Sequence, residues 1–79
     1  MNEFVDIGAG GFVAVNRIVA VVSPDSAPVK RAVAEARERG RVVDASGGKK
    51  TLSVIFTDSD IVILSSYPPE KTAAGSRNE

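Results

Sequence analysis

Cysteine and histidine are both missing from this sequence, and with them go disulfide staples, thiolate nucleophiles, imidazole bases and the usual zinc ligands. Tryptophan is absent and tyrosine occurs once, as Tyr67, so aromatic surface is scarce as well. No long apolar run is present: the longest, Ile18 to Val22, falls far short of the ~20 residues a membrane span requires. The start, Met1-Asn2-Glu3-Phe4, carries an acid where a signal peptide carries cations. The expectation is a soluble, cytoplasmic, non-enzymatic protein with no metal and no cofactor. A chain of 79 residues makes one domain, and a domain this small buries only roughly 60% of its unfolded surface. With neither disulfide nor metal, self-association is the expected further source of stability.

What is present is a charge pattern. Formal net charge is zero, yet the chain is not uniform. Between Ser26 and Lys50 lie Lys30, Arg31, Arg37, Arg39, Arg41, Lys49 and Lys50 against Glu35, Glu38 and Asp44, a local charge of +4, while the segments on either side each carry −2. A polyanionic partner would be met in that middle segment. Arg31 and Arg39 are each within helical reach of Glu35, so part of the charge is compensated locally. Lys49 and Lys50 have no acid nearby in sequence, and Arg17 stands between two apolar segments.

Local patterns predict about six short strands and one helix, an α/β (α+β) fold with a small, mainly antiparallel sheet. Phe4–Ile7 and Phe12–Val15 read as strands joined through Gly8-Ala9-Gly10-Gly11, whose glycines permit a tight reversal. Ile18–Val22 is a third strand, apolar throughout and therefore expected to be covered on both faces. Ser23-Pro24-Asp25 ends it. Ser26 is the predicted helix N-cap and Pro28 fits the first turn. Val29, Ala32, Val33 and Ala36 form one apolar stripe, Lys30, Ala34 and Arg37 share a neighbouring line, and Gly40 closes the helix. Val42–Ala45, Thr51–Thr57 and Ile61–Leu64 complete the strands. In the second of these Leu52, Val54 and Phe56 face one way and Ser53 and Ile55 the other. Residues 1–67 form the expected single domain. Residues 68–79, with nothing apolar larger than alanine beyond Tyr67-Pro68-Pro69, are expected to be a disordered tail.

One helix covers one face of a sheet, but at least two strands are apolar on both faces. The second cover comes either from a second sheet folded over the first or from another subunit.

The motifs that suggest chemistry have simpler readings. Asp58 and Asp60 fall short of a calcium loop, which needs about six oxygens at set positions, and Thr57-Asp58-Ser59-Asp60 reads as a turn bonded by its own side chains. Gly8–Gly11 leads into a strand, so no helix N-terminus is available there for a phosphate. Gly47-Gly48-Lys49-Lys50-Thr51 lacks the spacing of a nucleotide-binding loop. It reads as a hairpin turn that projects two lysines.

Several strings in this chain are specific as a set: Asn16-Arg17; Ser23-Pro24-Asp25-Ser26-Ala27-Pro28-Val29-Lys30-Arg31; Ala36-Arg37-Glu38-Arg39-Gly40; Asp44-Ala45; Gly48-Lys49-Lys50-Thr51; and Asp58-Ser59-Asp60-Ile61-Val62-Ile63-Leu64-Ser65. Over residues 4 to 66 the chain resembles the RemA family, small bacterial regulators of extracellular matrix (biofilm) genes. That resemblance implies a transcriptional activator that binds double-stranded DNA as a ring-like homo-oligomer. The DNA-contacting positions it implies are Arg17, Lys49 and Lys50. The basic pair in the family is usually Arg-Arg. Lysine neutralises phosphate as a point charge without the planar fork of arginine, which favours backbone over base readout. Lys30, Arg31 and Arg37 are secondary candidates from the charge pattern alone. The expected partners are duplex DNA and further copies of this chain, with no membrane and no small-molecule substrate. The contrasting reading is a protein-interaction scaffold whose charged helix meets an acidic partner.

Overall fold

A computed structural model describes residues 3–76. Six strands and a main helix follow in chain order: β1 (Phe4–Gly8), β2 (Gly11–Ala14), β3 (Ile18–Val22), α1 (Ala27–Glu38), β4 (Val42–Ala45), β5 (Ser53–Thr57) and β6 (Val62–Ser65), with a second helix, α2 (Pro69–Ser76), after them. This is the small α+β fold expected, with the strands divided between two sheets. β1 and β2 form an antiparallel hairpin, and the other four lie in the order β3-β5-β6-β4. Only the β4–β6 pairing is parallel. Gly8 and Gly11 pair across the hairpin, leaving Ala9 and Gly10 as its two-residue tip with φ of 52° and 76°. Both positive values match the primed turns whose twist suits a hairpin. β2 stops at Ala14, and Val15–Arg17 form a 3₁₀ turn where the strand was expected to run one residue further.

The inner strands β5 and β6 are covered on both sides from within the chain, whereas β3, expected to be covered on both faces, is an edge strand with no fully buried residue and with Val19 68% exposed. On one side Val54, Val62 and Leu64 pack with Val22, Val42 and Phe56 of the sheet and with Val29, Val33 and Ala36 of α1. The expected stripe thus lies on the sheet. On the other side Ile55, Ile63 and Ala45 pack against Ile7 and Val13 of the hairpin. The alternation in β5 is what separates the two clusters: Val54 and Phe56 point to the helix, Ile55 to the hairpin. The Ser65 hydroxyl donates to the Ile7 carbonyl at 2.6 Å, tying the central strand β6 to the hairpin across this second interface.

The expected tail requires a correction. Pro69–Ser76 is helical, and residues 77–79 lie outside the described residues. Proline is well placed to open a helix; Lys71 and Thr72 donate backbone N–H groups to the Pro68 carbonyl at 3.0 and 3.4 Å. Thr72 is fully buried, and the Lys71 ammonium sits 4.2 Å from the centre of the Tyr67 ring. The segment lacks the large apolar residues that announce a helix, and composition alone therefore points the wrong way.

Candidate nucleic-acid interface

The Lys49–Lys50 turn is not the hairpin its glycines suggest, because β4 pairs with β6 rather than with β5, and it is built on Asp44. One carboxylate oxygen of Asp44, at the end of β4, accepts from the Ser46 hydroxyl at 2.6 Å and from the Ser46 N–H at 2.9 Å. Those two bonds hold the Asp44 carboxyl below its ordinary pKa, with Arg37 adding a smaller attraction. The Ser46 carbonyl in turn accepts from the Lys49 N–H at 3.2 Å, closing the turn. Gly47 and Gly48 have φ of 66° and 82°, a backbone region that L side chains rarely adopt. A Cβ at Gly47 would stand 3.3 Å from the Ala9 side chain, which places the lysine turn against the hairpin tip. Lys49 and Lys50 are both exposed. Among the described residues no carboxylate lies within 4.0 Å of either ammonium.

Arg17 is differently placed. It ends the 3₁₀ turn before β3, and its carbonyl accepts from the Asp58 N–H at 3.0 Å. One guanidinium nitrogen reaches both Asp58 oxygens at 3.2 and 3.3 Å. Arg17 is therefore not the isolated cation its surroundings in sequence suggest. The pair is 59% and 44% exposed, and an ion pair so accessible to water is worth only about 0–1 kcal/mol. It orients the guanidinium without locking it away. Asp60, with φ of 63°, lies 4.0 Å from Arg39, so Arg39 meets this aspartate rather than the Glu35 expected from helical spacing. The two aspartates thus each face an arginine. Their turn is bonded by Thr57, whose hydroxyl donates to the Ile61 carbonyl at 2.9 Å and accepts from the Ile61 and Ser59 N–H groups.

The strand register shows which cations share a region. Arg17 precedes Ile18, which pairs with Thr57 at the end of β5, whereas Lys50 precedes the start of β5. At roughly 3.3 Å per extended residue, the two backbones stand on the order of 20 Å apart. The fold does not gather Arg17 with Lys49 and Lys50 inside one protomer. Lys30 and Arg31 lie in the first half of α1, which begins at the lysine end of the sheet; Arg37 lies near its far end. All three are exposed. Lys30 and Arg37 border a cleft that Thr51, the residue after Lys50, also lines. Arg31 is not part of that group. Sequence reasoning missed Asp58 as the partner of Arg17, two residues separated by 41 positions, and it missed Asp44 as the foundation of the lysine turn. The spacing Asp44-Ala45-Ser46 before two glycines is a signal that could have found the second.

Fold and site together define a small α+β domain that raises cations on turns and along one helix. Among the described residues no three His, Cys, Asp or Glu side chains cluster as a metal site, and no helix is long and apolar enough to cross a membrane. The chain belongs to the family described as RemA-like, extracellular matrix regulatory protein A-like, whose model matches residues 4–74. Its relatives include a protein of Geobacillus thermodenitrificans, 55% identical over 92% of this chain and 84% of the relative. Another, of Symbiobacterium thermophilum, is 56% identical over 90% of this chain and 75% of the relative. A third, of Caldicellulosiruptor saccharolyticus, is 55% identical over 90% and 70%. Each is provisionally named a regulatory protein. The family and these names point to regulation rather than to catalysis.

Proposed function

We propose that this chain is a cytoplasmic transcriptional activator of extracellular matrix (biofilm) genes that binds duplex DNA as a ring-like homo-oligomer, using Lys49, Lys50 and Arg17. The observation that carries the reading is the lysine turn. Two adjacent cations stand exposed on a turn propped by the hairpin and anchored by Asp44, with no described carboxylate in ion-pair range. A group of cations that reaches outward is what phosphate contact requires, and each one that engages DNA releases a counterion.

Repetition is needed because a single protomer offers few such cations, at two separated points. Many weak contacts on one assembly multiply into useful affinity. Self-association has support in the exposed apolar surface. Phe4 and Phe12 are each 64% exposed on the outer face of the hairpin, and Val19 and Val43, on the two edge strands of the four-stranded sheet, are 68% and 50% exposed. Two different edges meeting head to tail generate closed rings when the rotation closes.

The test is duplex binding followed by fluorescence anisotropy, with oligomer size followed by native mass spectrometry. Replacing Lys49→Ala together with Lys50→Ala should lower affinity at least tenfold and leave the subunit number unchanged. If the double variant dissociates into monomers, the lysines are structural. Full affinity in the variant would show that the DNA surface lies elsewhere.

A further inference from the structure

Beside the lysine turn, between α1 and the sheet, lies a cleft of about 370 Å³ with Val33, Val54 and Leu64 in its wall, Lys30 and Arg37 as its cations, and Thr51 alongside. We propose that it binds a small organic anion: a compact apolar body carrying a carboxylate or phosphate head. The volume falls within the range of small-molecule sites, which combine mostly apolar walls with a few placed polar groups. Lys30 and Arg37 are seven residues apart on one line of α1, about 10 Å along the axis at 1.5 Å per residue, close enough for two long side chains to converge on one head group. No carboxylate lines the cleft. Arg37 exerts a small attraction on Asp44, whose bonded oxygen is already taken up by Ser46.

Both halves of the ligand are needed by this arrangement. An inorganic anion would leave the apolar wall wet, and an uncharged apolar molecule would leave the two cations without a counter-charge. Lys30 and Arg37 are thereby assigned to a ligand rather than to the DNA contacts the charge pattern suggested. Thr51 follows Lys50 directly, so an occupant also braces the lysine turn. The site is independent of the DNA-binding reading and is tested without DNA.

Saturation-transfer difference NMR on the full chain, which reads the ligand whatever the oligomer size, would use hexanoate and hexyl phosphate as probes, with hexanamide and inorganic phosphate as controls. The latter is followed by competition against whichever anion binds. At least one of the two amphiphilic anions should bind saturably, and whichever does so defines the head group; both controls should be at least tenfold weaker. Lys30→Gln with Arg37→Gln should weaken binding at least tenfold. Ala34→Leu, at an exposed position lining the cleft, should abolish binding while both cations remain. The proposal is overturned by any of four results: neither anion saturates, hexanamide equals the anion that binds, phosphate competes as well as that anion binds, or Ala34→Leu binds like the parent chain. The controls on the unaltered chain decide the matter even if a variant fails to fold.

Discussion

Asp44 and Asp58 each place a carboxylate against the candidate interface, and they act in opposite directions. The Asp44 carboxyl, held below its usual value of 3.8 by the Ser46 hydroxyl and N–H, stabilises the fold in its charged form. A depressed folded-state pKa gives stability that is complete above the unfolded value and lost as pH falls through the folded one. Asp44→Asn should therefore flatten the acid limb of stability as pH falls below the ordinary carboxyl value of 3.8, measured as the urea midpoint against pH, and should loosen the lysine turn at neutral pH. Asp58 restrains Arg17 and adds negative charge beside it. Asp58→Asn should raise duplex affinity severalfold in an anisotropy titration; an unchanged or lower affinity would remove Arg17 from the interface. Of these two relations, the first was within reach of sequence reasoning, because an aspartate two residues before a serine at a turn is a local pattern. The second joins two turns that meet only when β3 pairs with β5, and nothing local announces it.

The elements themselves were largely legible. Ser26 caps α1, its hydroxyl accepting from the Val29 N–H at 3.3 Å, and Gly40 follows with φ of 69°, both as the residue types require. Strand β6 was readable as doubly covered because its apolar residues fill both faces, and all four of its residues are buried; β3, apolar throughout and read the same way, is instead an edge strand with Val19 68% exposed. Which of the two possible covers is used was not readable: stacking of the β1–β2 hairpin on the sheet depends on contacts such as Ser65 to Ile7, 58 positions apart. α2 was missed for the opposite reason, since its polar, small side chains give no apolar period to detect. The centre of the core under the hairpin is Ile55, fully buried among Ile7, Ala45 and Ile63. Ile55→Ala should cost about 2–5 kcal/mol through lost burial and the cavity left behind, seen as a lowered denaturant midpoint. A cost under about 0.5 kcal/mol would show that the hairpin does not seal that face.

At the scale of the whole molecule, a neutral chain can act on a polyanion only because its charges are sorted. Asp58 and Asp60 lie at the Arg17 end of the sheet, each against an arginine, and Lys49 and Lys50, with no described carboxylate in ion-pair range, at the other. One protomer brings three proposed phosphate contacts, Arg17, Lys49 and Lys50, and three contacts give a slope of log affinity against log salt of about −2.7, at −0.9 per neutralised phosphate. An assembly that presents the same three side chains repeatedly to one duplex must exceed that limit. The decisive measurement is therefore the salt dependence of duplex binding by the intact protein. A slope clearly steeper than −3 is the predicted result. A slope shallower than that, or no binding at low salt, would contradict a regulator that reads DNA through repeated cations.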